Sequence, residues 1–248
     1  MQFTPPDINK PGFADIHCHI LPGIDDGSRT LRESRRLLRF AYAQGFRTFV
    51  ATPHYRRCHE NADVEALTQE LLAEARLHWP DIDIYPGHEG YWHEEFPDRI
   101  RSGQARRLAN SSYLLCEFDP AAEYREITRG LRTISEAGCT PVLAHLERYP
   151  ALRQGERLRE LRDNGIVLQM NYEVLATGGF FDVNERWCRK QLKAGLVDLL
   201  GTDMHRMDFR PPNTEAAQAW IRKNVSEEHM DILTRRNALH IIRDEEIE

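Results

Sequence analysis

The sequence predicts an α/β protein built as a barrel of seven strands, each joined to the next through helical sequence. Three observations predict it. Seven short apolar runs rich in β-branched and aromatic residues alternate with stretches of helical periodicity. A glycine stands ahead of several runs, where a helix has to stop before the next strand begins. Most runs end in His, Asp or Glu, so polar residues gather at the carboxyl ends of the strands, the end at which such barrels carry their chemistry.

Residues 1–12 hold three prolines and no periodicity, and read as an irregular arm; 13–248 read as one domain. The first strand, 13–16, delivers His17 and His19, two imidazoles spaced to converge where the chain leaves the pleat, and Asp25-Asp26-Gly27 follows as a turn. Thr30-Leu31-Arg32-Glu33 has the form of a capping box, with Ser34, Leu38 and Ala41 on one helical face and Gly45 as the stop. The second strand, 46–52, ends at Pro53-His54, where proline breaks the ladder and an imidazole is presented. Asp63 caps a helix running to about His78, with Leu67, Leu71, Leu72 and Ala75 on one face.

The third strand, 82–85, leads through Pro86-Gly87 to Glu89, and residues 90–110 fit an active-site loop or a short helix equally. The fourth, 112–116, ends at Glu117 and precedes an amphipathic stretch, 121–137, stopped by Gly138. The fifth, 140–144, ends at His145; a helix over 151–164 closes at Gly165; the sixth strand, 166–170, ends at Asn171. A helix over 183–194 closes at Gly195, and the seventh strand, 196–201, runs into Thr202-Asp203-Met204-His205. Helical patterns near 214–223 and 226–239 finish the chain.

A net charge of −6 gives no bulk electrostatic reason to bind nucleic acid or an anionic membrane. The start has neither a charged nor an apolar leader region, and no apolar stretch is long enough to span a bilayer, so a cytoplasmic protein is expected. The five cysteines are scattered, odd in number and without a C-x-x-C pair. None is followed six residues on by arginine, which excludes the oxyanion loop of a thiolate phosphatase.

The strand ends collect His17, His19, Asp26, His54, Glu89, Glu117, His145, Asp203 and His205. Five imidazoles and four carboxylates exceed the roughly four to six ligands of one ion, so two or three ions sharing bridging carboxylates are expected. Mixed nitrogen and oxygen ligation suits Mn, Fe or Zn better than Ca. Taken singly, His54 or His145 is more often a satisfied histidine and Glu89 or Glu117 an ordinary acid; the ensemble is what points to metal. Of the other histidines, only His88 and His93 are candidates for a site role.

The string Asp15-Ile16-His17-Cys18-His19-Ile20-Leu21-Pro22-Gly23-Ile24-Asp25-Asp26-Gly27 resembles the polymerase and histidinol phosphatase (PHP) superfamily. So do Ala51-Thr52-Pro53-His54, Ala144-His145-Leu146-Glu147-Arg148-Tyr149, and Thr202-Asp203-Met204-His205 with Arg210-Pro211-Pro212. Within it the chain is most similar to the bacterial manganese-dependent protein-tyrosine phosphatases of capsule and exopolysaccharide loci. The resemblance implies a distorted (β/α)7 barrel and three divalent ions, Mn foremost, with Fe or Zn as alternatives. It implies that His17, His19, Glu89 and Asp203 hold the first ion, that Glu89 bridges to a second held also by Glu117 and His145, and that Asp26, His54 and His205 hold the third. Arg148 and Arg210 match the family's phosphate-binding arginines, and the implied partner is a phosphotyrosine protein, a bacterial tyrosine autokinase of polysaccharide export.

A phosphate monoester dianion repels hydroxide; clustered cations neutralise it and supply metal-bound hydroxide as the attacking group, while the two arginine forks grip the phosphoryl oxygens. The plainer reading of Arg148 is a surface ion pair with Glu147 or a neighbour. Asp208 either orients Arg210 or a ligand, or is a solvated loop acid. Tyr91, Trp92 and Phe96 are placed to stack on an incoming ring or to pack beneath their loop. Two rival functions are a small-molecule phosphatase, such as one for histidinol phosphate, which calls for a deep enclosed pocket, and a non-catalytic scaffold, which calls for lost ligands.

Overall fold

The computed structural model describes residues 3–55, 63–177 and 182–248. Its strands are β1 (Phe13–Cys18), β2 (Phe46–Ala51), β3 (His54–Tyr55), β4 (Asp83–Pro86), β5 (Glu89–Tyr91), β6 (Tyr113–Glu117), β7 (Thr140–Leu143), β8 (Val167–Asn171) and β9 (Leu199–Gly201). They pair in parallel as β1-β2-β4 and β3-β5-β6-β7-β8-β9. β2 and β3 are one stave broken at Thr52-Pro53, because proline has no N–H for the ladder. β4 and β5 are a second stave broken at Gly87-His88, and the half-ladders join across the breaks through Gly87 N to Ala51 O (2.9 Å) and Glu89 N to Pro53 O (3.1 Å). The ring closes where Asp203 N donates to His17 O and His19 N to Met204 O, both 2.8 Å. The expected seven-strand barrel is therefore present, distorted at two staves.

Alternation along the strands builds two cores. Inward side chains such as Val50, Tyr85, Leu115, Val142, Val167 and Leu199 fill the barrel, while Phe49, Ile84, Leu114, Leu143, Leu168 and Leu200 pack outward under the helices. The base of the inner core is covered by Leu239 and Ile242 and by Phe3 and Ile8 of the N-terminal arm. The arm is irregular, as expected, and is tied down: Tyr85 Oη donates to Thr4 O (2.8 Å), Arg243 to Pro6 O (3.0 Å) and Arg235 to Ile8 O (2.6 Å).

The helices follow their sequence signals. In α1 (Leu31–Ala43), Thr30 Oγ1 accepts from Glu33 N at 3.2 Å, but Glu33 reaches back to Arg29 N (3.0 Å), one residue beyond the usual partner. Asp63 caps α2 (Val64–Arg76) by accepting from Ala66 N at 3.0 Å, with Leu71 and Ala75 buried. The region 90–110 contains a short helix, α3 (Phe96–Arg101), and a 3-10 turn, Leu108–Asn110, joined by irregular chain. It is followed by α4 (Tyr124–Glu136), α5 (Arg157–Asp163), α6 (Val183–Lys193), α7 (Glu215–Asn224) and α8 (Glu227–Asp231). A π turn at Ile232–Arg236 carries α8 into α9 (Asn237–Arg243), four residues past the expected end. The helix expected over 151–164 is split into a 3-10 turn, Pro150–Arg153, and α5, with Gly155 between them in the left-handed region.

Candidate metal centre

Two backbone irregularities aim the histidines. Along β1, residues 15 to 18 run opposite 49 to 51 of β2, so β1 carries one residue more than its partner between the pairs Asp15–Phe49 and Cys18–Ala51. This bulge turns His17 to the barrel axis directly after the inward Ile16, and His19 follows on the same side. At β7, Val142 and Ala144 both point inward, so strict alternation would send residue 145 outward; His145 instead takes a left-handed backbone (φ 37°, ψ 57°) that returns its ring to the mouth. Asp203 (φ 49°) and Arg210 (φ 55°) are also left-handed, a conformation that costs non-glycine residues energy and clusters at functional sites.

The nine expected residues meet at one place. His17 Nε2 lies 3.2 Å from Glu89 Oε1 and 3.4 Å from Asp203 Oδ1; His19 Nε2 lies 3.3 Å from Glu89 Oε2 and 3.4 Å from Asp203 Oδ1. His145 Nε2 stands 2.9 Å from Glu89 Oε1 and 3.5 Å from Glu117 Oε2. His54 faces Glu89 (3.0 Å) and Glu117 (3.2 Å) through Nδ1, and Asp26 (3.5 Å) through Nε2; His205 Nε2 is 3.7 Å from Asp26. Ligand atoms that each stand about 2.0–2.2 Å from one ion are themselves roughly 3.0–3.5 Å apart, and these separations have that size.

The second coordination partners fit the same reading. His17 Nδ1 donates to Gln169 Oε1 (3.0 Å), His19 Nδ1 to Asp25 Oδ2 (2.8 Å) and His205 Nδ1 to the Asp203 carbonyl (2.8 Å). Each acceptor is an oxygen that cannot donate, so the proton sits on Nδ1 and the Nε2 lone pair faces the cluster, the usual outer support of a metal-bound histidine. Nε2 of His17 and of His19 and Oε2 of Glu89 are buried with no hydrogen-bond partner, which would be costly if nothing else were meant to satisfy them. The residues present therefore fit a multi-ion centre. Four groupings come within reach of an ion: His17-His19-Glu89, His17-His145-Asp203, His54-Glu89-Glu117, and His19-Asp26-His54-His205. The last adds His19 to the implied third set, and the third adds His54 to the pair Glu89 and Glu117.

Electrostatics draws the cluster together. Burial works to discharge His54, but Glu89 and Glu117 outweigh it and hold the imidazole at about 9; the same two carboxylates raise His145 to about 9 against its burial. An ion taken up here would have to displace those protons. Burial pushes Asp15 up to about 6 although Thr202 donates to it through both N (3.1 Å) and Oγ1 (2.5 Å), a bond pair that ties β1 to the segment carrying Asp203.

Asp203 divides its carboxylate between two tasks. Oδ1 faces His17 and His19, while Oδ2 accepts from Arg148, from Arg210 Nη1 (2.9 Å) and from Asn171 Nδ2 (3.0 Å). The ion partner of Arg148 is thus Asp203 and not Glu147. Both arginine side chains stay partly open, at 31% and 24% exposure.

Other expectations divide. Asp208 is 63% exposed and pairs with Arg206 (3.2 Å) and Arg29 (3.5 Å), so the solvated-acid reading is the one that holds. Trp92 and Phe96 are buried: Trp92 stacks on Phe118 at 5.8 Å, and Phe96 fills the space a Cβ on Gly90 would occupy, 2.1 Å from its ring. Neither can meet an incoming ring. His88 is buried outside the cluster, accepting from Arg106 N at 2.9 Å, and burial followed by Arg106 lowers it to about 4. Asp25, Gln169 and Asn171 were not singled out by sequence. Asp25 is the clearest omission, because it also accepts from His54 N (2.9 Å) and Gly27 N (2.9 Å), and Gly27 is required where a Cβ would lie 2.3 Å from His19 O.

A closed parallel barrel with histidines and carboxylates gathered at its mouth is the architecture of the barrel metallohydrolases. An Escherichia coli phosphotriesterase homology protein shares the fold at a TM-score of 0.60 and 12% identity, covering 94% of this chain and 99% of that one. The chain belongs to the capsular polysaccharide synthesis CpsB/CapC family, whose profile matches residues 13–243. It is 34% identical to the tyrosine-protein phosphatase CpsB of Streptococcus pneumoniae over 93% of this chain and 98% of that protein. It is 31% identical to the tyrosine-protein phosphatase YwqE of Bacillus subtilis over 94% and 92%. A crystal structure from work on YwqE and CpsB, described as unique metal-dependent tyrosine phosphatases, matches with a TM-score of 0.84 at 28% identity, covering 95% of this chain and 96% of that one. The resemblance drawn from the motifs is borne out.

Proposed function

We propose that this chain is a metal-dependent phosphomonoesterase that hydrolyses phosphotyrosine in proteins, with a bacterial tyrosine autokinase of polysaccharide export as its partner in the cytoplasm. The observation that carries the reading is the gathering of nine candidate ligand side chains at one mouth, Glu89 and Asp203 among them, with two partly open arginines hung from the far oxygen of Asp203. His17, His19, Asp26, His54, Glu89, Glu117, His145, Asp203 and His205 would hold three divalent ions, with Mn the best match to the donor set. Bound there, such ions neutralise the phosphate dianion and lower the pKa of water toward neutrality. Arg148 and Arg210 bind the phosphoryl oxygens from one side as charge builds on them, and Asp203 fixes both forks before substrate arrives.

An open mouth favours a protein substrate over an enclosed metabolite: the Asp26 side chain is 58% exposed at the edge of the cluster. The presence of all nine ligand residues argues against a scaffold. The test is turnover of a phosphotyrosine peptide, a phosphoserine peptide and histidinol phosphate by chelated and by Mn-reconstituted protein. Phosphotyrosine is expected to give the highest kcat/KM, only after reconstitution. Preference for histidinol phosphate would overturn the protein-substrate reading, and full turnover by chelated protein would overturn the metal.

A further inference from the structure

We propose that Phe209 is the platform against which the aryl ring of the substrate packs, and so the residue that sets preference for aryl over alkyl phosphate esters; this rests on the phosphatase reading above. Four large hydrophobic side chains are exposed among the described residues, and Phe209, at 45%, is the one beside the cluster. Its ring stands edge-on to His205 at 5.9 Å. The guanidinium of Arg210 lies 5.3 Å from its centroid and that of Arg206 5.2 Å. A phosphoryl group held by Arg210 carries its aryl ring one ester oxygen away, within reach of a Phe209 ring that stands 5.3 Å from that guanidinium.

The platform is fixed in advance. Arg206 N donates to Phe209 O (2.9 Å), Phe209 N to Arg206 O (3.2 Å) and His205 N to Arg210 O (3.0 Å), so 205–210 form a tight hairpin with Met207-Asp208 at its tip. Arg206 Nη1 donates to the Asp26 carbonyl (2.8 Å), which pins the hairpin to the neighbouring turn that carries Asp26. An apolar ring left half open on a rigid rim, between two cations, gains contact only when something planar and apolar is delivered there. A serine or glycerol phosphate delivers none.

The experiment compares wild type with Phe209→Leu, Phe209→Ala and Phe209→Tyr, all Mn-reconstituted, on a phosphotyrosine peptide and on glycerol phosphate. Loss of an aromatic pair is expected to lower the ratio of kcat/KM, aryl over alkyl, by about tenfold in the Ala variant, mostly through KM for the aryl ester. Phe209→Tyr should keep the ratio and Phe209→Leu should fall between. Equal losses on both esters, leaving the ratio unchanged, would show that the ring merely supports Arg210 and would overturn the platform while leaving the phosphatase reading standing. No turnover of either ester by wild type would remove both.

Discussion

His17, His19, Glu89, His145 and Asp203 form a floor with almost no exposure, whereas Asp26, Asp208 and Phe209 form a rim that is roughly half open. Floor residues come from strand ends or the first residues beyond them, and three of the five are held by a second residue: Gln169 for His17, Asp25 for His19, Asn171 for Asp203. Rim residues come from turns, and one side of each stays in solvent: Asp208 pairs with Arg29 and Arg206, while Asp26 and Phe209 border the buried His205. The difference teaches where specificity can change cheaply. Removing one member of a buried charged set leaves the others unpaired in a low dielectric, while removing a rim residue exposes its partners to water that replaces it.

The largest effect tests the floor at its centre. His17→Ala should lower metal content and activity together, by more than the roughly 10–100-fold typical of an outer partner, measured by elemental analysis alongside turnover. If the variant kept its full complement of ions, the nine residues would not be one interdependent set. Arg148→Ala, at the junction of floor and rim, should keep the metals and lose about 10²-fold or more in kcat/KM, the scale for removing a donor to transition-state charge. A fully active variant would reduce the Asp203 contact to a structural ion pair.

Asp25→Asn keeps the shape of the side chain but removes the charge that fixes His19, and should weaken metal affinity by about 10–100-fold, read by chelator competition. An unchanged affinity would move Asp25 out of the floor and make it a turn residue. The smallest effect is expected at the rim: Asp208→Asn should change kcat/KM by less than about threefold, since its exposed ion pairs are worth little. A loss comparable to that of Arg148→Ala would erase the distinction between the two regions.

Much of this was legible in sequence because the candidate ligands at strand ends interrupt apolar runs, and the interruption recurs at His54, Glu117, His145 and Asp203. Pro53 announced a broken ladder for the same local reason. What sequence could not separate were neighbours in the Asp25-Asp26 pair, since which carboxylate turns inward depends on the close packing of Gly27 against His19. The inward roles of Gln169 and Asn171 depend on strand register, which is set by the partner strands. Trp92 and Phe96 were open to two readings because an aromatic run beside a glycine looks alike whether the glycine frees a loop or, as at Gly90, makes room for a ring beneath it.

The left-handed backbones at His145, Asp203 and Arg210 have a consequence for how this chain can evolve. Glycine or asparagine accepts that conformation at lower cost than histidine or arginine, so at His145 and Arg210 the residue best for folding differs from the one best for chemistry, while at Asp203 only glycine would gain. A library of variants chosen only for heat tolerance should drift toward glycine or asparagine there and lose its turnover in the process. One chosen for turnover should hold all three and gather its stabilising changes elsewhere, beginning with the helices.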